Sequence, residues 1–303
     1  MEGTETMEKS SGCTLCPRRC GADRLKTRGV CGCGAELKVA RAALHMWEEP
    51  CISGDRGSGT VFFSGCPLHC IFCQNRAISD GRAGKIITAD RLSEIFLELQ
   101  AKSAANINLV TPGHYALQVR EAVKKAKTAG LTLPVICNTG GYETIETLRI
   151  LSEVTDVWLP DLKYVNSDTA ALYSHAADYP KVAKEAVDFM VRHAGPLQTD
   201  ADGYVTKGVI VRHLVLPGHV TEAKETVRYL YERYGDTVWI SIMNQYTPPE
   251  KELPYRELNR RLTTYEYDKV VDFALSLGVE NAFIQEGGTA KESFIPAFDG
   301  EGV

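Results

Sequence analysis

From Thr60 onward the chain repeats one pattern: a short apolar run, a polar break, then a stretch with apolar residues at helical spacing. Thr60–Ser64 reads as a buried strand. Leu92, Ile95, Phe96 and Leu99 fall on one helical face behind Thr88, a good N-cap residue. A strand at Asn106–Val110 and a helix over Ala116–Ala129, stopped by Gly130, come next. Further strands are expected at Leu133–Asn138, Val157–Leu159, Val209–Leu216, Thr237–Met243 and Asn281–Gln285. Helices are expected around Thr144–Leu151, in the run up to His193, over Thr221–Tyr234 and around Tyr265–Leu277. About seven strand–helix units in series predict a parallel sheet with right-handed crossovers. A partial or full (β/α) barrel suits this α/β series better than an open doubly wound sheet. In either case functional groups belong at the C-terminal ends of the strands.

Three segments are expected: a disordered tail over residues 1–12, a Cys-rich metal-binding extension over 13–53, and the barrel over 54–303. Hydrophobic residues make up 44% of the 303, enough for a sizeable core. The formal net charge of -5 argues against a broad nucleic-acid-binding face. No run approaches the roughly 18 apolar residues that span a bilayer. The first twelve residues lack a signal-peptide apolar region, so a cytoplasmic protein without a membrane partner is expected. Nine of the ten cysteines fall within the first 73 residues. In a reducing compartment such crowding points to metal ligation or redox chemistry rather than disulfides.

The most specific spacing is Cys66-x3-Cys70-x2-Cys73, directly after the first expected barrel strand. Three neighbouring thiolates suit three irons of a [4Fe-4S] cube. The fourth iron is then open to a small molecule, whereas an electron-transfer cluster would want a fourth cysteine. Part of a zinc site is the competing reading of the same spacing. His69, inside the loop, is read as a loop histidine.

Farther along, Arg212 and His213 interrupt an apolar strand. Charge there is costly unless paired, so both are expected to point into a polar lumen. The planar fork of Arg212 suits a carboxylate. Asp161 and Lys163 leave one strand end on the same side, fit for a zwitterion or for a plain ion pair. Gln245, Tyr246, Gln285 and Glu286 end later strands and are candidate substrate contacts. At the N-terminus, Cys13, Cys16, Cys20 and Cys31 could form an all-cysteine zinc or iron site. A structural metal is favoured, because the spacing differs from ferredoxin runs; an auxiliary Fe–S cluster is the alternative. Cys33, Cys51 and Cys137 are read as spare or buried thiols, and Arg18, Arg19 and Arg24 as a solvated face.

The Cys-x3-Cys-x-aromatic-Cys loop resembles the radical S-adenosylmethionine (SAM) superfamily. The stretches SGDRGSGTVFFSGCPLHCIFCQN, NINLVTPGHY, NTGGYE, DVWLPDLKY, VRHLVLPG, ISIMNQYTP and IPAFDGEGV resemble the pyruvate formate-lyase activating enzyme-related members. The resemblance implies a [4Fe-4S] cluster on Cys66, Cys70 and Cys73, with S-adenosyl-L-methionine on the open iron. Reductive cleavage to a 5′-deoxyadenosyl radical and hydrogen abstraction would follow. Phe72 would lie near the adenine. Thr111 and Gly113 stand where relatives carry Gly-Gly-Glu, so their backbone would hold the cofactor's amino group. His114, in the same loop, is either a substrate-side polar group or structural. Asn138 and Thr139 would form a cofactor-facing loop, and Asp161-x-Lys163 would handle the methionine end, with Arg212 and His213 beside it. An electron donor such as flavodoxin or ferredoxin is implied, and anaerobic chemistry. The substrate is left open between a glycyl-radical protein and a peptide, metabolite or RNA. A non-catalytic electron-transfer or metal-binding protein is the rival.

Overall fold

Each expected strand and helix after Thr60 is present in the computed structural model, which describes residues 12–285 and 295–303. The tail expected over residues 1–12, apart from Gly12, lies outside the described residues, as does Glu286. In chain order the elements are β1 (Lys38–His45), α1 (Pro50–Ser53), β2 (Ser58–Phe63), α2 (Arg76–Ser79), β3 (Lys85–Ile86), α3 (Ala89–Ala101), β4 (Ile107–Val110), α4 (Ala116–Thr128), β5 (Val135–Thr139), α5 (Ile145–Ser152), β6 (Val157–Pro160), α6 (Ser167–Ser174), α7 (Tyr179–Ala194), β7 (Gln198–Thr199), β8 (Val205–Leu214), α8 (Val220–Tyr234), β9 (Trp239–Met243), α9 (Thr264–Leu277) and β10 (Ala282–Ile284).

Local chemistry accounts for the helix starts. The Thr88 hydroxyl accepts from the Arg91 amide and the Thr144 hydroxyl from the Thr147 amide. Thr263 and Glu266 close a reciprocal capping box on α9. One face of α3, with Leu92, Ile95, Phe96 and Leu99, is buried against the sheet side of the core.

The strands β2, β4, β5, β6, β8, β9 and β10 pair in that order, all parallel, with helices in the crossovers. The sheet runs from β10 at one edge to β3 at the other without meeting itself. The molecule is a partial barrel, not a closed one. The strand ends of its concave side converge on one cavity.

One strand escapes the sequence reading. Lys38–His45 falls in the segment expected to be the Cys-rich extension, yet β1 pairs antiparallel with β2 and joins the same sheet. The division after residue 53 therefore cuts through sheet pairing. The strand is hard to see because a register irregularity between Val39 and Arg41 breaks its alternation. The chain's last residues lie along β1 as well. The Ala42 amide donates to the Glu301 carbonyl (2.9 Å) and the Gly300 amide to Ala40 (3.1 Å), while Arg41 pairs with Asp299. Gly302 has a φ of 72°, and a Cβ there would stand 2.0 Å from the Ala42 carbonyl oxygen.

Candidate functional site

The cavity at the strand ends has a volume of about 520 Å³, and Cys66, Cys70 and Cys73 all line it. Their loop leaves β2 through Gly65, whose φ of 91° turns the chain sharply. A Cβ on Gly65 would meet the Cys33 sulfur at 2.4 Å. His69 is also left-handed, with a φ of 51°, and its ring Nε2 contacts the Val30 carbonyl at 2.6 Å. It is a loop-holding residue, as expected.

The loop points amides at its sulfurs. Leu68 and His69 donate to Cys66, and Asn75 donates to Cys73. Burial, then the neighbouring sulfurs, pushes the Cys66 thiol up to about 12 and Cys73 to about 11. A bound cation is what would draw these thiols into the ligating thiolate form. Among the described residues no three His, Cys, Asp or Glu side chains converge on one point fit for a single ion. Three thiols lining one cavity suit three irons of a cube, with the fourth iron open to that cavity. The three cysteines therefore fit the [4Fe-4S] group that their spacing suggests. Phe72 is buried among Tyr164, Tyr173 and Tyr246, with ring centroids 6.0–6.5 Å away, and still contributes to the cavity wall.

Thr111, Asn138, Thr139, Asp161, Lys163 and Arg212 line the same cavity. Thr111 sits at a φ of 59°, a costly conformation for a β-branched residue, with its amide on the Asn138 carbonyl at 2.8 Å. Gly113 is one turn farther, in the 3-10 helix Gly113–Tyr115, where a Cβ would lie 3.4 Å from the Glu143 side chain. It is not part of the cavity wall. Lys163 and Asp161 form an ion pair. Burial works against the Lys163 ammonium, but Asp161, with Cys70 and Tyr179, more than offsets it and holds its pKa above the ordinary value. Behind them Glu143 is buried, with one carboxylate oxygen unpartnered, and burial pushes its carboxyl up to about 7.

Arg212 faces the cavity, but its fork is already engaged. It bonds Glu49 at 2.8 Å and pairs with Glu48 as well. The three side chains are 12%, 6% and 8% exposed, so this ion cluster is effectively inside the protein. Asn108 donates to Glu48 at 2.9 Å. Burial opposes the charge on Glu49, and Arg212 overcomes it, holding that carboxyl below its usual range. The free guanidinium expected from the sequence is thus an internal counter-ion. Glu48 and Glu49 were missed, although a charged residue within an apolar strand signals that some anion must meet it.

His213 was expected in the lumen beside Arg212 and is not there. Consecutive strand residues point to opposite faces, so His213 is buried on the other side, with Nδ1 donating to the Leu162 carbonyl at 2.7 Å. His114 is likewise buried, with Nε2 2.8 Å from the Ser64 carbonyl oxygen, a structural placement. Gln245 and Gln285 do line the cavity, 3.3 Å apart, whereas Tyr246 donates to the Leu258 carbonyl within the core. Cys33 and Cys137 are buried, and Cys51 is partly buried. The arginines near the N-terminus are not a solvated face. Arg18 donates to the Pro67 and Ser174 carbonyls at 2.9 and 2.8 Å, and Arg24 to His114 at 2.6 Å. Of these three, Arg19 alone is exposed.

Comparison with known proteins agrees with this geometry. A relative from Methanocaldococcus jannaschii, itself uncharacterised, is 29% identical over 271 residues, covering 86% of this chain and 74% of that protein. Pyruvate formate-lyase 1-activating enzyme of Escherichia coli is 27% identical over 113 residues, covering 36% of this chain and 46% of the enzyme. Among solved structures, a radical SAM methyltransferase from Sphaerobacter thermophilus superposes with a TM-score of 0.53 at 15% identity, over 77% of this chain and 67% of that one. Streptococcus suis SuiB, bound to its precursor peptide SuiA, gives a TM-score of 0.51 at 12% identity, over 74% and 47%. These two show the fold alone. The family model of the radical SAM superfamily matches residues 60–230, more than half the chain, and the protein belongs to that superfamily.

Proposed function

We propose that the protein is a radical SAM enzyme, binding a [4Fe-4S] cluster on Cys66, Cys70 and Cys73 and S-adenosylmethionine beside it. The observation that carries this reading is one cavity shared by the three cysteines, Phe72 and the Asp161–Lys163 pair. When bound, the reduced cluster and the cofactor supply a 5′-deoxyadenosyl radical that abstracts hydrogen from a substrate. The chain's own part is placement. Asp161 and Lys163 offer opposite charges to a zwitterion, Asn138 and Thr139 offer polar groups from the end of β5, and Phe72 offers an aromatic edge. The buried Glu48–Glu49–Arg212 cluster lies beside the Asp161–Lys163 pair, where Asp161 bridges to Arg212 on the neighbouring strand, and its guanidinium is already paired. Gln245 and Gln285 add neutral amides suited to a polar, uncharged part of the substrate.

A glycyl-radical protein is the substrate class that the likeness to the activating enzyme supports. A low-potential one-electron protein of the flavodoxin or ferredoxin kind would supply the electron, and a cytoplasmic setting suits both. Among the described residues no helix is long and apolar enough to cross a membrane.

The test is reductive formation of 5′-deoxyadenosine by anaerobically reconstituted protein. The wild type should form it with a strong chemical reductant, and replacing Cys66, Cys70 and Cys73 together by Ala should abolish it. Cleavage that survives the triple change rejects the assignment of these three ligands. A wild type with a full cluster and no product rejects the enzyme reading.

A further inference from the structure

Four more thiols gather on the outer side of the cluster loop. The Cys13 amide donates to the Ala22 carbonyl at 3.0 Å and the Gly21 amide returns to Cys13 at 3.1 Å. This pair of bonds folds residues 13–22 into a closed knuckle that brings Cys13, Cys16 and Cys20 to one side. Gly21, at a φ of 67°, permits the turn. Cys31 completes the group. A Cβ on Gly29 would stand 3.3 Å from the Cys20 sulfur and 3.5 Å from the Cys31 sulfur, so both thiols pack against this one position. Cys31 lies within electrostatic reach of the other three. Cys33, near Cys31, turns its thiol toward the cluster loop, donating to the Ser64 carbonyl at 3.1 Å.

A second observation makes this more than a group of cysteines. The amides of Leu15, Arg18 and Ala22 donate to the sulfurs of Cys13, Cys16 and Cys20, each two residues ahead of its cysteine. Cys66 and Cys73 receive Leu68 and Asn75 in the same way. Both loops thus present amide donors to sulfurs, which stabilises thiolate and lowers the charge felt by a bound metal. A structural zinc would take the same four thiolates. What favours iron is the place of the set, bonded to the loop that carries Cys66, Cys70 and Cys73.

Its position is also specific. The Cys66 amide donates to the Cys31 carbonyl at 3.2 Å, so a ligand of one set is hydrogen-bonded to a ligand of the other. His69 reaches Val30 and Arg18 reaches Pro67, holding the two loops together.

We infer that Cys13, Cys16, Cys20 and Cys31 hold a second iron–sulfur cluster, fully cysteine-ligated and of the [4Fe-4S] class, seated against the radical-cluster loop. It rests on the proposed function only for its role. One electron would pass from an external one-electron reductant to this centre and on through the Cys31–Cys66 contact, each centre being reduced and reoxidised once.

Iron and zinc content, with electron paramagnetic resonance of the reduced protein, tests the site separately from turnover. Reconstituted wild type should carry about eight irons per chain, as two cubes require. The Cys66/Cys70/Cys73 triple Ala variant should keep about half, with a reduced-cluster signal that S-adenosylmethionine does not perturb. The Cys16→Ser/Cys20→Ser variant should lose the other half and keep the perturbable signal. Stoichiometric zinc in place of iron, or no iron left in the triple variant, overturns the inference. Should the variants fold poorly, anomalous scattering at the iron and zinc edges from wild-type crystals decides: iron at both sites supports it, and zinc or no metal at the N-terminal site rejects it. Failure to form deoxyadenosine would reject the proposed function and leave these counts readable.

Discussion

Lys163 is held charged inside the protein because Asp161 sits against it at the end of β6. Removing the ammonium strands a half-buried carboxylate and takes one charge from the cofactor's methionine end. Lys163→Ala should weaken S-adenosylmethionine binding or cleavage by about tenfold or more, as each ~1.4 kcal/mol is a factor of ten. Iron content should stay normal, since no thiolate is touched. Equal deoxyadenosine rates in variant and wild type would reduce the pair to a structural ion pair. Glu143, nearby, works in the opposite sense. Burial raises its carboxyl to about 7 from an ordinary 4.5, so the fold binds its proton more tightly than the unfolded chain does. Its contribution to stability is complete below pH 4.5 and is lost as pH rises toward about 7. The loss is of order 3 kcal/mol. Glu143→Gln should therefore stabilise the protein at pH 8 relative to wild type and flatten this part of the profile. Urea unfolding of the metal-free protein at pH 5 and pH 8 measures it, and parallel profiles for the two proteins would refute the assignment. The sequence marked Asp161 and Lys163 through their spacing after a strand. Glu143 was only one letter in a quoted stretch, because its burial is a property of the packed molecule.

Tyr179 opens α7 and ties two strand ends together. Its hydroxyl lies 2.9 Å from the carbonyl oxygens of Gly140 and Asp161, and it accepts the Lys163 amide at 2.9 Å. The loop after β5 and the end of β6 are thus registered by a side chain from a helix. Tyr179→Phe leaves these buried groups without their partner, at a cost of about 1–3 kcal/mol. A lower melting temperature and weaker S-adenosylmethionine binding should appear together. A melting temperature equal to that of wild type would show that water replaces the hydroxyl. At this scale the sequence was legible where chemistry is local: the Thr88 cap was read from its neighbours, and the caps at Thr144 and Thr263 rest on the same chemistry. The strand β1 was not legible, because a strand with a register irregularity loses the alternation that would reveal it. Arg18 and Arg24 misled for a related reason, since a Cys-rich segment gives no periodicity from which to tell inward from outward.

Across the whole molecule, one ion cluster links distant parts of the chain. Arg212 on β8 meets Glu48 and Glu49, which precede α1, so the cavity wall beside Asp161 is closed by residues more than 160 positions apart. Removing one partner of such a buried group is costly, about 3–5 kcal/mol. Arg212→Gln should give a strongly destabilised protein, because two buried carboxylates would then face each other. Adding Glu49→Gln should recover part of the loss, since one negative charge is removed with the positive one. Thermal unfolding of the single and double variants measures the coupling, and simple additivity would mean that the cluster is not a unit.

What the sequence determined by itself was whatever depends on near neighbours in the chain. It yielded the order of strands and helices, the C-terminal strand ends as the place for function, the three cysteines at their offsets and the family resemblance that follows from them. Tertiary structure alone decided that the sheet stays open between β10 and β3, since closure depends on strand number, tilt and what covers the edges. It alone turned His213 away from the cavity, neutralised Arg212 with two unforeseen carboxylates and set the N-terminal thiols against the cluster loop. Those outcomes depend on which groups meet across long chain separations, and in a low-dielectric interior the identity of that partner decides whether a charge is free, paired or suppressed.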